Sequence, residues 1–177
     1  TPKGLTDFER LKSNELVYTG VLRTPISSLA PKITLSGEEI NLAAEYFAIT
    51  ADVYRSLGLI EEEEYSCETP DGRGKGTEEC LRRIARNFCS DPREMGKDQV
   101  LSAAKKIRGK QVVLIKKAIE KVASSHKNEE PNIVSTGIGR KILIREAAKS
   151  AGFDEIVDLG EVYNEKAALM SPAYAMG

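Results

Sequence analysis

One short loop combines groups that could together bind an anion: Asp71, Gly72, Arg73, Gly74 and Lys75 are consecutive. Arginine offers a planar fork and lysine a compact charge, and glycines let such a loop fold around phosphate oxygens. Asp71 offers carboxylate oxygens to a metal ion. The composition is also typical of an exposed polar turn, which the residue types alone favour. A P-loop is not indicated, because Gly72 and Gly74 lie too close to Lys75.

A second glycine pair, Gly137 and Gly139, lies between a predicted strand and a predicted helix. Glycines there let the backbone approach a ligand, and a helix N-terminus offers unpaired N–H donors. A nucleotide or another anionic group fits this junction, and a tight turn without a ligand is the alternative. Ile142 stands where the dinucleotide fingerprint requires a third glycine, so a dinucleotide site is not indicated.

Two isolated charges are further candidates. Asp52 lies among apolar residues of a predicted helix, where an unpaired carboxylate is costly. It therefore needs a cation, a hydrogen-bond donor or a solvent-facing position, and a metal-linked role stays open beside the exposed one. Arg23 is either an anion ligand or a surface charge.

The cysteines and the single histidine do not indicate a site. Cys67, Cys80 and Cys89 lack ligand spacing, so we expect small buried side chains and neither zinc nor disulfides. Scattered thiols are typical of a reducing compartment, and we expect a cytoplasmic protein. His126 ends a lysine-rich helix, a favourable position for histidine, and no nucleophile elbow accompanies it.

The charge balance excludes several function classes. Lysine and arginine total 26, aspartate and glutamate 27, and the net charge is −1. No global field therefore steers the chain towards nucleic acid or membrane, and no apolar run approaches the length of a bilayer span. We expect a small phosphorylated partner and neither a nucleic-acid nor a membrane partner; a homodimer is compatible with the sequence.

Hydrophobic periodicity predicts three helices in the first 125 residues. Ser36 with Glu39 has capping-box spacing ahead of a helical pattern over residues 40–54. A second helix is predicted to follow Thr77, its N-cap, and to run to about Phe88, and a long one over 97–125 has an apolar stripe that includes Gln111 and Leu114. Residues 15–22 read as a strand or hairpin.

The C-terminal part predicts alternating strands and helices. They are strand 132–136, turn 137–139, helix 140–151, strand 155–159 and helix 164–170. This order is typical of a parallel α/β layer. We therefore divide the chain into a strand and loop segment (1–35), a largely helical insertion with the long helix (36–130) and a βαβα end (131–177).

Five stretches together resemble one protein family: residues 15–26 (ELVYTGVLRTPI), 48–59 (AITADVYRSLGL), 69–87 (TPDGRGKGTEECLRRIARN), 135–148 (STGIGRKILIREAA) and 171–176 (SPAYAM). The sequence is similar to the hydantoinase/oxoprolinase-like proteins of tetrahydromethanopterin-linked one-carbon metabolism, which in methanogens include an enzyme of methanofuran biosynthesis. The resemblance covers nearly the whole chain.

The resemblance implies an actin-like (ribonuclease H-like) fold with two lobes around a cleft. It also implies a transferase that joins γ-glutamyltyramine to aminomethylfuran diphosphate, forming an aryl ether and releasing diphosphate. Mg²⁺ and cations would stabilise the leaving group, and a base would help to deprotonate the phenol. Whether ATP or another nucleotide takes part is left open.

Carried onto this sequence, the resemblance assigns the leaving-group clamp to Arg73 and Lys75 and a metal-linked carboxylate to Asp52 or Asp71. Gly137 and Gly139 correspond to the turn that meets adenosine in the actin fold, and Arg23 joins the phosphate-binding set. The hypothesis depends on loops at the edge of a parallel sheet that gather amides and cations around a departing phosphate group.

The sequence departs from the actin-like pattern in two ways. It contains neither of the DxGG phosphate loops that actin-like lobes carry, and its 177 residues are about half the length expected for two lobes. Since it begins at Thr1 and not at Met, we expect a piece of a longer protein. The resemblance, with the missing loops and the half length, implies that this piece is the C-terminal portion of a two-lobed protein. The alternatives are an ATP-dependent sugar-kinase-like or hydantoinase/oxoprolinase-type enzyme, and a non-enzymatic interaction module on the same scaffold.

Overall fold

The structure, a computed structural model, describes residues 4–125 and 131–170. It is a mixed α/β protein whose chain divides into two compact units. The first unit comprises Thr1–Tyr18 with Val112–Gly177, and the second comprises Thr19–Gln111. These boundaries differ from the predicted ones at 35/36 and 130/131, because the units follow tertiary contacts and the prediction followed the order of elements along the chain.

The second unit contains the hairpin of β1 (Lys32–Leu35) and β2 (Glu38–Asn41). The helix predicted from Ser36 is wrong at this point. Ser36 and Gly37 have φ angles of 51° and 88°, the left-handed values of a tight hairpin turn. β1 alternates exposed and buried side chains, so its residues follow the period of a strand.

The helix that belongs to this stretch begins later and is shorter. α3 (Thr50–Ser56) ends just before Gly58, whose φ is 65° and whose amide donates to the Arg55 carbonyl at 3.0 Å. Gly58 thus ends the helix in the left-handed conformation that glycine adopts readily. A short helix, α2 (Ile26–Leu29), precedes the hairpin and was not predicted.

The strand predicted over residues 15–22 is wrong, because no strand is formed there. The polar groups of Gly20 are taken by side chains: its amide donates to Thr24 Oγ1 at 3.0 Å, and its carbonyl accepts from Gln111 Nε2 at 2.9 Å. The amide and carbonyl of Gly20 are therefore satisfied without a partner strand.

Two helices pack the core of the second unit. α4 (Thr77–Arg86) begins one residue earlier than predicted, with Gly76 as N-cap, and packs against α3. α5 (Pro92–Met95) is a single turn capped by the Asp91 side chain. The buried apolar cluster comes from α2, β1, α3, α4, the helix that follows α5 and the segments between them: Ile26, Ala30, Ile33, Leu35, Leu42, Ala48, Val53, Leu81, Ile84, Ala85, Val100, Ala103, Ala104 and Ile107.

The predicted long helix is confirmed as α6 (Lys97–Ser124), and the division between units falls within it. Gln111 is buried in the stripe as predicted. It accepts from the Tyr54 hydroxyl at 3.0 Å and donates to Thr19 Oγ1 at 2.9 Å. Leu114 is 41% exposed, contrary to the prediction, because the buried face continues through Val112 and Ile115.

In the first unit, α1 (Asp7–Lys12) carries a capping box between Thr6 and Glu9. The predicted parallel pair is confirmed: β3 (Ile133–Ser135) pairs with β4 (Ile156–Asp158) in parallel, with Val134 opposite Val157.

The turn after β3 is short, and the helix predicted from Arg140 begins at Ile144. A 3₁₀ turn (Ile138–Arg140) precedes α7 (Ile144–Ser150). α8 (Leu159–Val162) and α9 (Glu165–Leu169) follow β4. Buried Arg140 ties this end of the unit together by donating to Asp158 at 3.0 Å and to Glu165.

Candidate functional site

Asp52 lies in the centre of the second unit because α3 is packed on nearly every side. Six of the seven residues of α3 are buried, and the Asp52 side chain has no exposed surface. Its Oδ2 accepts the Ile49 amide at 3.0 Å, which satisfies a free donor at the start of the helix. The carboxylate is therefore fixed by the backbone of its own helix.

Arg83 on α4 supplies the cation that Asp52 requires. Its Nε donates to Asp52 Oδ1 at 2.8 Å, and only 1% of the arginine side chain is exposed. Arg83 is on the buried side of α4, three residues after Cys80 and one before Ile84, so the amphipathic pattern carries it into the core. The result is an ion pair deep inside the second unit.

The same arginine holds the 71–75 loop. Arg83 Nη1 donates to Asp71 Oδ1 at 3.0 Å and to the Gly74 carbonyl at 3.1 Å. The loop is also closed internally: Gly72 has a φ of 68°, and Thr69 Oγ1 donates to the Arg73 carbonyl at 2.8 Å. A loop of glycines and charges is in this way attached to a buried helix.

Tyr65 completes the cluster beneath the loop. It is fully buried, and its hydroxyl donates to Asp52 Oδ1 at 2.9 Å. Lys75 Nζ lies 5.4 Å from the centre of the Tyr65 ring, within the range of a cation–π contact. One end of Tyr65 thus supports the buried ion pair, and its face supports a cation of the loop.

Burial and charge act on these groups in opposite directions. Burial raises the pKa of Asp52, because the cost of desolvating the carboxylate exceeds the help from Arg83. Burial, together with the neighbouring Asp52, also raises the pKa of Tyr65, which stays a phenol at neutral pH. Burial opposes the charge of Arg83, but Asp52 outweighs it and raises the pKa of the guanidinium.

The loop carboxylate behaves differently. Its partial burial opposes ionisation, but the Arg73 amide and the charge of Arg83 together lower the pKa of Asp71. Asp71 is therefore an anion whose charge is balanced by the arginine beneath it.

An open pocket of about 460 Å³ lies over the loop. It is lined by Ser66, Cys67, Glu68, Thr69, Gly72, Arg73 and Lys75. The Arg73 side chain is 66% exposed, and its nearest acid is Asp71 Oδ2 at 4.0 Å, which leaves its donors accessible. Two cations, a thiol, two hydroxyl side chains and the Glu68 carboxylate thus border one open cavity, in which the two cations can meet an anion.

The structure brings most of the predicted site residues together. Asp52 and Asp71 meet on Arg83, and Arg73 and Lys75 share the pocket. Arg23 acts on the same place through its charge: burial raises the pKa of Cys67 in the pocket wall, and Lys75 and Arg23 oppose that rise.

The two predicted glycines belong to the first unit, whereas this group belongs to the second. Gly137 has φ 76° and ψ −176°, a conformation that only glycine adopts readily, so the predicted turn is confirmed. Its amide donates to the Ala168 carbonyl at 2.9 Å and Thr136 Oγ1 donates to the same oxygen at 2.7 Å.

The loop does not follow a strand of a parallel sheet, contrary to the expectation from sequence. The strands described in its unit are the antiparallel β1 and β2, and the loop leads directly into α4. The parallel pair β3–β4 lies in the first unit. The loop that carries the cations is bound by a buried arginine on a helix, and not by the edge of a sheet.

The side chains around Asp52 and Asp71 offer few ligands to a metal ion. The described residues contain no group of three or more His, Cys, Asp or Glu side chains that could hold one. A metal at Asp52 would have to displace Arg83 and Tyr65 from Oδ1 and the Ile49 amide from Oδ2. Asp71 is the better candidate, since its Oδ2 is bound by no donor closer than 4.0 Å.

Sequence reasoning missed Arg83 and Tyr65. One signal was available for Arg83: it occupies a position on the apolar side of a predicted helix, and a buried Asp52 had already required a cation. The thiols were only partly predicted, because Cys80 is buried with a pKa raised by that burial to about 12, whereas Cys89 is exposed. His126 and residues 171–176 lie outside the described residues.

Comparison with known proteins gives consistent matches. A model of the hydantoinase/oxoprolinase family matches residues 1–175. The chain is 41% identical over 173 residues to the (4-{4-[2-(gamma-L-glutamylamino)ethyl]phenoxymethyl}furan-2-yl)methanamine synthase of Methanocaldococcus jannaschii, covering 97% of this chain and 50% of that protein. It is 38% identical over 174 residues to the synthase of the same name from Methanococcus vannielii, covering 97% and 77%.

The chain therefore spans about half the length of the first of these relatives. In the described part of the chain, no helix is both long and apolar enough to cross a membrane.

Proposed function

This chain belongs to the hydantoinase/oxoprolinase family, and we propose on that premise that it is part of a transferase of methanofuran biosynthesis. The proposed reaction forms an aryl ether between γ-glutamyltyramine and aminomethylfuran diphosphate and releases diphosphate. The names of the two relatives, which describe a phenoxymethylfuran product, support it. The proposed localisation is cytoplasmic, and the proposed partner is the small phosphorylated substrate.

The observation that carries the proposal is the shared pocket of Arg73 and Lys75. A furfuryl diphosphate presents several negative oxygens close together, and an arginine fork beside a lysine matches that pattern. A pocket of about 460 Å³ is large enough to take a small phosphorylated substrate at least in part.

The proposed reaction is a displacement of diphosphate by the phenol oxygen. The phenol oxygen attacks the furan CH₂ carbon, the bond from that carbon to the diphosphate oxygen breaks, and its electron pair leaves with diphosphate. The phenol proton passes to a base or to solvent. Arg73 and Lys75 stabilise the charge that grows on the leaving oxygen, an effect that strengthens when substrate excludes water from the pocket.

The remaining site residues have supporting roles in this proposal. Asp52 holds Arg83 and through it the loop, while Arg23 adds positive charge near Cys67. Asp71 is the carboxylate that would contact Mg²⁺ bound to diphosphate, because its Oδ2 is accessible. One carboxylate alone makes a weak metal site, so the charge of the leaving group is assigned to Arg73 and Lys75. Gly137 and Gly139 are proposed as a turn that approaches an anionic ligand.

We also propose that the chain has an actin-like fold and forms the C-terminal portion of a two-lobed protein. The parallel pair β3–β4, the helix α7 between its strands and the glycine turn after β3 support this assignment. A nucleotide is not needed for the proposed displacement, since the diphosphate is already on the substrate.

The test measures diphosphate release by the full-length protein with aminomethylfuran diphosphate, with and without γ-glutamyltyramine and with no nucleotide added. We expect release that depends on the phenolic substrate, with one ether formed per diphosphate. The double variant Arg73→Ala/Lys75→Ala should lose at least about 100-fold in kcat/KM, because two charge-assisted contacts to the leaving group are removed.

A matched control removes two cations from an exposed face of α6. Lys105→Ala/Lys106→Ala makes the same change in charge and should retain wild-type turnover. Equal activity of both double variants would exclude Arg73 and Lys75 as the clamp. Diphosphate release that ignores the phenol, or that requires ATP, would contradict the proposed reaction.

A further inference from the structure

We infer that Arg83 is a positioning residue for the anion site: its guanidinium fixes the 71–75 loop in the conformation in which Arg73 and Lys75 face a common diphosphate. The inference rests on the proposed function, because it concerns how that function's leaving-group site is held. Arg83 itself is 1% exposed and lines no part of the pocket, so it acts through the loop and not on the substrate.

The core side of Arg83 provides the fixed point. Nε donates to Asp52 Oδ1, whose carboxylate is in turn bound by the Tyr65 hydroxyl and the Ile49 amide. Three donors on one buried carboxylate leave the guanidinium little freedom to turn. The plane of the Arg83 guanidinium is therefore fixed by Asp52 of α3, independently of its contacts with the loop.

On its other side, the Arg83 guanidinium binds the 71–75 loop at two points. Nη1 donates to Asp71 Oδ1 at 3.0 Å and to the Gly74 carbonyl at 3.1 Å, one contact on each side of Arg73. Gly72 and Gly74 give this segment the freedom to adopt many conformations, and the two contacts remove much of it. Arg73 and the approach to Lys75 are thus held at both ends by one atom.

Stability alone gives a poor account of this arrangement. A buried ion pair contributes little net stability compared with apolar residues of similar volume, because both charges must be desolvated. A guanidinium, however, reaches two separate groups with different nitrogens of one rigid plane, and an ammonium cannot. Arginine therefore suits this position because it can bind Asp52 and the loop at the same time.

The test compares Arg83→Lys with wild type in the full-length protein, using inorganic diphosphate as the probe and titration calorimetry as the measurement. Lysine keeps the charge beside Asp52 but cannot span from Asp52 to the loop. We expect a folded variant with at least about tenfold weaker diphosphate binding, the loss expected when charge-assisted contacts that order the site are removed.

Arg82→Lys and Arg86→Lys are the controls, since both arginines lie on the exposed side of α4. They should bind diphosphate as wild type does. Wild-type affinity in a folded Arg83→Lys protein would overturn the inference, because charge alone would then suffice.

A second variant decides the matter if Arg83→Lys does not fold. Asp71→Ala cuts the link on the loop side, where the side chain is 18% exposed, and leaves the buried Arg83 paired with Asp52. Removing a negative charge next to an anion site should strengthen diphosphate binding by electrostatics alone, whereas loss of positioning weakens it. Measured without Mg²⁺, weaker binding by severalfold supports the inference, and equal or tighter binding overturns it.

The turnover assay separates the two proposals. A wild-type protein that releases diphosphate normally while Arg83→Lys and Asp71→Ala bind the probe with unchanged affinity contradicts the role of Arg83 alone. A wild-type protein that neither binds inorganic diphosphate nor releases it contradicts the proposed function and this inference together.

Discussion

A carboxylate at position 52 can persist in a core only if its charge and its lone pairs are met. Arg83, Tyr65 and the Ile49 amide meet them, with distances between 2.8 and 3.0 Å. The need for a partner was predictable from Asp52 and its apolar neighbours. The identity of the partner was not, because Arg83 is 31 residues away and reaches Asp52 only through the packing of α3 on α4.

Asp52→Asn should destabilise the protein by about 3 kcal/mol, because it leaves the buried Arg83 with only the partly exposed Asp71 to balance its charge. Equilibrium urea unfolding at neutral pH measures the change. Glu39→Gln is the control: it breaks the Lys32–Glu39 pair, which has the same kind of charge contact at 2.7 Å but is more than half exposed. That change should cost under about 1 kcal/mol, and similar losses in both variants would contradict the cost assigned to leaving the buried Arg83 without its partner.

Among the elements, length and repetition decided what could be predicted. α6 repeats its apolar stripe over 28 residues, so the prediction averaged over many turns. The hairpin was missed because Ser36, Gly37, Glu38 and Glu39 satisfy two patterns, a capping box and a tight turn. Tertiary packing chose the turn, since it buries Ile33 and Leu35 on one face of β1.

Two glycine substitutions distinguish a required turn from an ordinary helix position. Gly37→Ala should destabilise by about 1 kcal/mol, because its φ of 88° disfavours any Cβ although no atom lies within 4 Å of one. Gly109→Ala in α6 should stabilise by about 0.5–1 kcal/mol, since its Cβ would likewise meet no atom within 4 Å and alanine favours the helix. Urea unfolding of both variants gives the two signs, and destabilisation by both would contradict the assigned conformations.

For the molecule as a whole, the candidate site was predictable as a set of residues but not as a position in the fold. Asp71, Arg73 and Lys75 lie within five residues of each other, so the sequence alone places them in one loop. Their support by a helix, and the separation of Gly137 and Gly139 into the other unit, depend on tertiary contacts that no local pattern records.

The two units also differ in how much they bury, and this difference should appear in hydrogen exchange. α3 has six buried residues of seven and borders the main apolar cluster, whereas α1 and α8 have none. Amides open locally where few apolar contacts hold the backbone, and those in a core open only with the whole unit. Exchange of the full chain, followed by mass spectrometry and corrected for intrinsic rates, should be slowest in α3, α4 and residues 97–111, and faster by orders of magnitude in α1 and α8. Equally slow exchange in α8 would show that contacts beyond those described stabilise the first unit, and uniform exchange would mean that the units unfold as one.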